Sequence, residues 1–366
     1  MGKLLGHGER IAWLRLARTP RIGAMTFHRL IARFGTADAA LEALPRLRTP
    51  LTAEPAEKAE AELAALAANN AKLLACCETE YPPALAQLSA PPPVISVHGQ
   101  TELLHKPAIA LVGGREASAA GAKLAGDLAR DLGEAGYVIV SGMARGIDAA
   151  AHAASLGTGT IAVLAGGLDK PYPPQNERLH AEIVRRGCVV TEAPLGAVAR
   201  AKDFPRRNHV ISGLALGVIV VEAAQRSGSL ITARAAAEQG REVMAAPGSP
   251  LDPRASGSNG LIKQGAALIE NAADVLAALQ AAPRTLRRAP APRLFEESVP
   301  DFADTDPMRA RLAALLSPTP IHLNDLARQL GVPLNLAAAA LTDLELDGRA
   351  ASLSGGYAVS ATPHAD

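Results

Sequence analysis

The chain has almost no surplus of charge: 37 lysines and arginines stand against 36 aspartates and glutamates, a formal net charge of +1 at pH 7. Nothing global announces a polyanion partner, so any nucleic-acid site has to come from a local excess of cations. Cysteine is scarce, with three residues. Cys76 and Cys77 are adjacent and cannot bridge each other without strain, which leaves Cys188 alone; a disulfide framework is excluded and a reduced, cytoplasmic setting is expected. No apolar run reaches the roughly 18 residues of a membrane span, and the first residues lack the apolar core of a secretory signal. Also missing are G-x-G-x-x-G, the P-loop G-x-x-x-x-G-K followed by Ser or Thr, a nucleophile elbow, and His or Cys at metal-ligand spacing. Dinucleotide binding, ATP chemistry and a metal centre all lack their fingerprints. No cofactor and no metal is expected.

What is present is length and apolar content: 366 residues, 48% of them hydrophobic, enough to bury a substantial core in more than one domain. Residues 1–75 read as a small all-α helical hairpin domain. Its first 35 residues carry Lys3, Arg10, Arg15, Arg18, Arg21, Arg29 and Arg33 against the single acid Glu9. Thr19-Pro20-Arg21-Ile22-Gly23 breaks one helix and opens the next, which sets Phe27, Leu30, Ile31 and Phe34 on one face and stops at Gly35. Such a hairpin can offer arginines and backbone amides to phosphates; equally, the arginines can be its solvated face. Ala-rich helix is expected to run to about Leu74. Residues 76–105, with Pro82, Pro83, Pro91, Pro92 and Pro93, read as an extended connector.

From 106 to 280 short Val- and Ile-rich runs alternate with helical stretches: Ile109–Val112, Val138–Val140, Thr160–Leu164, Cys188–Thr191, Val218–Val221 and Val243–Ala246. Strands of this composition with helices between them mean a parallel sheet covered on both faces, a doubly wound α/β domain. Residues 281–306 read as a Pro-rich linker. In 307–366, Met308–Leu316, Leu323–Leu330 and Leu334–Leu346 read as helices and Arg349–Val359 as a hairpin turning at Gly355-Gly356, a winged-helix-like pattern. Between Gly331 and Gly348 lie Asp343, Glu345 and Asp347 and no Lys or Arg, so this tail is expected to serve as an interaction module and not to read DNA.

Ligands of open parallel sheets bind beyond the carboxyl ends of the strands. The first strand runs into Gly113-Gly114-Arg115, the second into Ser141-Gly142 and GID, and the third into Gly166-Gly167 and then Tyr172-Pro173. The fifth leads to Ser227-Gly228-Ser229. Glycines at helix starts admit an anion to the backbone amides, and they also serve tight packing. After the fourth strand, residues 196–207 hold Arg200, Lys202, Arg206 and Arg207 against Asp203, with Phe204 among them. Charges with an interleaved aromatic suit single-stranded nucleic acid; alternatively Phe204 is core and the charges are solvated. Asp148, His152 and Glu222 are the available acid and base groups, and a lone buried His is usually a structural hydrogen-bonder. Binding therefore ranks above catalysis, and the alternative is an enzyme or carrier acting on a nucleotide derivative.

The ordered motifs VGGREAS, SGMARGIDAAAH, TIAVLAGGLDKPYPPQN, FPRRNHVISGLA, VIVVEAAQRSGSLITARAAAEQGREVMAAPG and GSNGLIKQGA, with the Tyr81-Pro82 lead-in, resemble the DNA-processing protein A (DprA/Smf) family over about Tyr81 to Asp274. The resemblance implies a Rossmann-like sheet with a SAM or helix-hairpin-helix-like domain before it and a winged-helix-like domain after it. It further implies sequence-independent binding of single-stranded DNA, loading of the RecA recombinase in natural transformation, single-strand-binding protein as a further partner, homodimerisation through the Rossmann-like domain, and no nucleotide consumption. Carried over by position, the DNA site would use Arg115, Lys202, Phe204, Arg207 and Asn208. Gly114, Ser141, Gly142, Gly228 and Ser229 would supply amides or hydroxyls. Two positions depart from the family pattern: Gly114 stands where Thr or Ser is common, and His209 replaces an arginine, which would make affinity depend on pH near neutrality.

Overall fold

The computed structural model describes residues 4–47, 50–281, 302–332, 334–346, 349–353 and 357–360. The expected linker at 281–306 and the turn at Gly355-Gly356 lie largely or wholly outside the described residues. The chain divides into two compact units, one of Glu60–Pro292 with Met1–Leu4 and one of Leu5–Ala59 with Arg293–Asp366.

In the second unit, α1 (His7–Arg18), α2 (Ala24–Phe34) and α3 (Ala37–Ala43) form the amino-terminal bundle. The break comes where Pro20 and Arg21, at φ 71°, prevent a continuous helix. Phe27, Leu30 and Ile31 then share one buried face of α2, with the Trp13 ring 5.0 Å from that of Phe27. The next helix, α4 (Ala56–Ala68), ends six residues before the expected Leu74 and gives way to β1 (Ala71–Ala75).

The stretch expected to be a connector is part of the sheet. After β1 come α5 (Pro83–Ala86) and β2 (Val94–Gly99). β1 pairs antiparallel with β2, and β2 pairs antiparallel with β6 (Cys188–Thr191). The prolines that argued against strands lie between β1 and β2, where no ladder donor is required, and the Val94–Val97 run is buried.

The remaining elements alternate: β3 (Ala108–Val112), α6 (Ala119–Glu134), β4 (Val138–Ser141), α7 (Ile147–Ser155), β5 (Thr160–Leu164), α8 (Glu177–Arg186), then β6, α9 (Asp203–Leu214) and β7 (Gly217–Val220). They continue with α10 (Ser229–Glu238), β8 (Glu242–Ala245), α11 (Ser256–Lys263), β9 (Ala267–Leu268) and α12 (Ala272–Ala281). The nine strands run in the order β1-β2-β6-β5-β4-β3-β7-β8-β9, parallel from β6 to β9. β3 to β7 are buried along their length, as Val- and Ile-rich runs between two helical layers must be. Ile109, Leu111, Leu128, Leu132, Ile139 and Ile219 anchor the core on one face. All three cysteines are buried.

The carboxy-terminal domain is a winged helix: α13 (Phe302–Leu315), β10 (Ile321–His322), α14 (Leu323–Leu330), α15 (Leu334–Leu346), β11 (Ala350–Leu353) and β12 (Tyr357–Ser360), with its strands ordered β10-β12-β11. Leu312, Leu326, Leu330, Leu341 and Leu344 close its core.

Candidate nucleic-acid interface

Chain order sets the place of the site. From β3 the strands β4 and β5 extend to one side, and the chain returns through β7 and β8 to the other, so the sheet's winding reverses between β3 and β7. At such a switch point the flanking loops separate and leave a crevice at the carboxyl edge. Here it has a volume of about 600 Å³ and is walled by the loops after β3, β4 and β7 and by one face of α9. The amino ends of α6, α7 and α10 adjoin it, each contributing the partial positive charge of its helix dipole. Gly113 lets the first loop close on α7, because a Cβ there would stand 2.5 Å from Ile147 Cγ1. Gly114 differs: its added Cβ would have Glu222 O at 3.6 Å, an ordinary contact, so its lost hydroxyl leaves room facing the crevice.

The basic segment is loop to Lys202 and helix from Asp203, whose carboxylate accepts from the Arg200 amide at 2.8 Å. Helical spacing then separates its residues by face. Phe204, Arg207, Asn208 and Ile211 fall at i, i+3, i+4 and i+7 and all line the crevice. Arg206 points elsewhere and forms an ion pair with Glu192. Phe204 is half-buried, with the exposed Arg115 guanidinium 5.5 Å and that of Arg207 5.6 Å from its ring centroid. The Tyr172 ring meets it edge-on at 6.0 Å and is itself 52% exposed, large for an aromatic beside such a site. A second hollow of about 260 Å³ lies here, lined by Arg145, Tyr172, Pro173 and Gln175 together with Arg115 and Phe204.

Arg207 is a floor and not a surface contact. It is 8% exposed, and its Nη1 donates to Gly142 O and, at 3.2 Å, to Val163 O. Burial pushes its pKa down, Asp148 opposes the shift and Arg115 adds to it. Asp148 in turn accepts from the Gly142 amide at 3.1 Å and the Ala144 amide at 3.2 Å; burial raises its pKa and Arg207 draws it back. Gly142 has no room for a side chain, since a Cβ would overlap the Arg207 guanidinium.

Several other expected contacts are likewise engaged inside the protein. Ser141 Oγ donates to Leu111 O at 2.6 Å and is fully buried. The Gly142 amide belongs to Asp148. Asn208 Nδ2 donates to Gly228 O at 3.2 Å, tying α9 to the start of α10. Ser229 Oγ pairs with Ser227 Oγ at 2.7 Å. Lys202 is exposed but lines neither hollow. Arg115, Gly114, Phe204 and Gly228 are the expected residues that meet in the crevice with surface to offer. His209 is turned to Gln239, whose Nε2 lies 2.9 Å from its Nδ1, and burial lowers its pKa, which favours the neutral imidazole.

The acid and base candidates are occupied as well. Glu222 accepts from the Ser118 amide at 2.9 Å and the Ser118 hydroxyl at 2.5 Å, holding the residue that caps α6. His152 is buried with Nδ1 2.7 Å from Thr160 Oγ1, and burial drives its pKa to about 3. Sequence reasoning missed Tyr172, Arg145 and Arg226. The signal was available: each loop after β3, β4, β7 and β8 carries an arginine, Arg115, Arg145, Arg226 and Arg254, and all four line the crevice. Arg254 is held by Asp252 at 2.8 Å, while Arg115, Arg145 and Arg226 are exposed. Against them stands the exposed Glu116. Among the described residues no group of His, Cys, Asp and Glu could hold a metal ion.

Comparison with known proteins gives three family matches: DNA recombination-mediator protein A over residues 72–280, the DprA-like N-terminal HHH domain over 7–65 and the DprA winged helix domain over 296–356. Protein Smf of Escherichia coli (strain K12) is 38% identical over 307 residues, 83% of this chain and 81% of that protein. DNA processing protein DprA of Streptococcus pneumoniae is 45% identical over 199 residues, 54% of this chain and 70% of that protein. The X-ray structure of the Streptococcus pneumoniae protein superposes with a TM-score of 0.61 at 32% identity, covering 75% of this chain and 98% of that one. DNA processing protein A from Helicobacter pylori, described for its single-stranded DNA binding mode, gives 0.53 at 30% identity over 57% and 95%.

Proposed function

Because this chain belongs to the DNA recombination-mediator protein A family, we propose that it binds single-stranded DNA at the crevice between β3 and β7 and passes it to the RecA recombinase. One observation carries the reading: the exposed Arg115 stands over Phe204, beside the exposed Tyr172, where three helix starts converge. Arginines and helix-start amides hold phosphates, and the exposed Tyr172 ring offers a face on which any base can stack. In this reading the arginines hold phosphates and the ring stacks on base faces, contacts that carry no sequence information, so binding is independent of sequence. The single-stranded DNA binding mode of the Helicobacter pylori relative, at 30% identity, supports the same ligand.

RecA loading in natural transformation, single-strand-binding protein as a second partner, and a homodimer formed through the Rossmann-like domain rest on the motif resemblance and on the family's description as a recombination mediator. A binding role is the reading adopted for the chain, and the hydrogen bonds that hold Asp148, His152 and Glu222 within the fold support it. Among the described residues no helix is long and apolar enough to cross a membrane, and the reduced cysteines accord with work in the cytoplasm.

Arg115→Ala tests the site. Fluorescence anisotropy with a labelled oligothymidylate should show affinity falling about tenfold or more, as loss of a charge-assisted phosphate contact predicts, while the melting temperature holds. Duplex DNA and a mononucleotide should compete weakly. Undiminished affinity in the folded variant removes the crevice from the DNA path, and strong competition by the mononucleotide favours a carrier of nucleotide derivatives.

A further inference from the structure

The winged helix and the basic hairpin belong to one compact unit, and their contact has a chemical character. α2 turns Phe27, Leu30 and Ile31 inward, which leaves Arg29 and Arg33, four residues apart, on another face. α15 buries Ala340, Leu341 and Leu344 in the core of its own domain and carries Asp343 and Glu345 outside that stripe. The two helices pack together, and Arg29 Nη1 lies 2.5 Å from the Asp343 carboxylate, with the side chains 19% and 27% exposed. Arg309 of α13 and Glu345 act on Arg29 from nearby, so two guanidiniums and two carboxylates share the junction.

α15 holds the place at which winged helices that read DNA present cations, yet no Lys or Arg occurs from Gly331 to Gly348. A guanidinium fork donates to a carboxylate or a phosphate with the same geometry. Desolvation offsets much of the attraction in a half-buried pair, and a phosphate that takes the place of the carboxylate spares Arg29 an unpaired charge. Resting on the single-stranded DNA reading above, we propose that α15 is an internal stand-in for DNA on the basic hairpin: Asp343 occupies Arg29 of α2, and single-stranded DNA competes with the winged helix for that face. The tail thus restrains the hairpin until a strand displaces it.

Hydrogen exchange on the full chain tests this, with Asp343→Asn, Asp343→Arg, Arg29→Asp and the charge swap Arg29→Asp with Asp343→Arg. At low salt each single change should speed exchange in α2 and α15, and the swap should restore protection. Saturating oligothymidylate on the unmodified chain should protect α2 while loosening α15. Asp343→Arg should bind the oligonucleotide several-fold more tightly, with a salt slope steeper by about 0.7 for each phosphate contact freed. A swap that fails to restore protection, or an α15 that keeps its protection on saturated chain, overturns the competition and leaves the crevice reading standing. If no variant binds the oligonucleotide, the single-strand reading falls and the competition with it.

Discussion

At the carboxyl edge of the α/β sheet, Arg115, Arg145 and Arg226 are exposed around a 600 Å³ crevice, each on a different strand-end loop. In the helical unit the arginines are more numerous along the sequence but differently placed: Arg29 is paired with Asp343, and Arg15 donates to the Glu54 carbonyl at 2.9 Å. A count of cations therefore does not locate a polyanion site. What matters is whether each guanidinium already has its partners, because an arginine facing a carbonyl or carboxylate must lose that contact before it can hold a phosphate. The same contrast recurs inside the crevice, where Arg115 is exposed at the surface and Arg207 is buried beneath it.

The largest effect is expected of Arg207→Ala, which attacks that contrast directly. Removing the guanidinium leaves Asp148 buried without its counter-ion and the Gly142 and Val163 carbonyls short of a donor. Chemical denaturation should report a loss of about 3–5 kcal/mol. Arg115→Ala should cost within about 0.5 kcal/mol, as a surface change does. Equal stability of the two variants would erase the division between floor and surface.

A smaller effect is expected of Phe204→Leu, which keeps apolar volume but removes the ring that carries Arg115. Binding should weaken by roughly 1–3 kcal/mol with the melting temperature nearly unchanged. If stability collapses instead, Phe204 is core and the aromatic face belongs to Tyr172 alone. The smallest effect is that of Lys202→Ala, which defines the border of the site. Lys202 is exposed outside both hollows, so the variant should lower the log-log salt slope by about 0.7 if the strand runs past it. An unchanged slope ends the DNA path at α9.

Legibility followed the range of the forces involved. The six central strands lie within one residue of their expected ends, because Val and Ile runs between helices have one way to be buried. The three helices of the winged domain were legible from their apolar spacing, and Leu312, Leu326 and Leu341 do meet in one core. β1 and β2 were not legible. Their partner for closing the sheet, β6, lies about 90 residues beyond β2, and the intervening prolines read locally as a connector.

The order and type of the central elements, the strand-end loops that carry glycine and arginine, and the acidic character of α15 all follow from sequence without reference to the fold. These are local: side-chain shape, backbone freedom and charge act within a few residues. Which of those groups face the crevice is set by tertiary structure alone. Arg206, Arg207 and Lys202 are near neighbours in sequence, yet one pairs with Glu192, one lies beneath the crevice on Gly142 and Val163, and one stays in water. Their difference comes from the start of α9 at Asp203 and from carbonyls delivered by β5 and the loop after β4, which no neighbour in sequence can supply. Burial and hydrogen-bond satisfaction are set by atoms distant along the chain, so the role of each cation is a property of the fold.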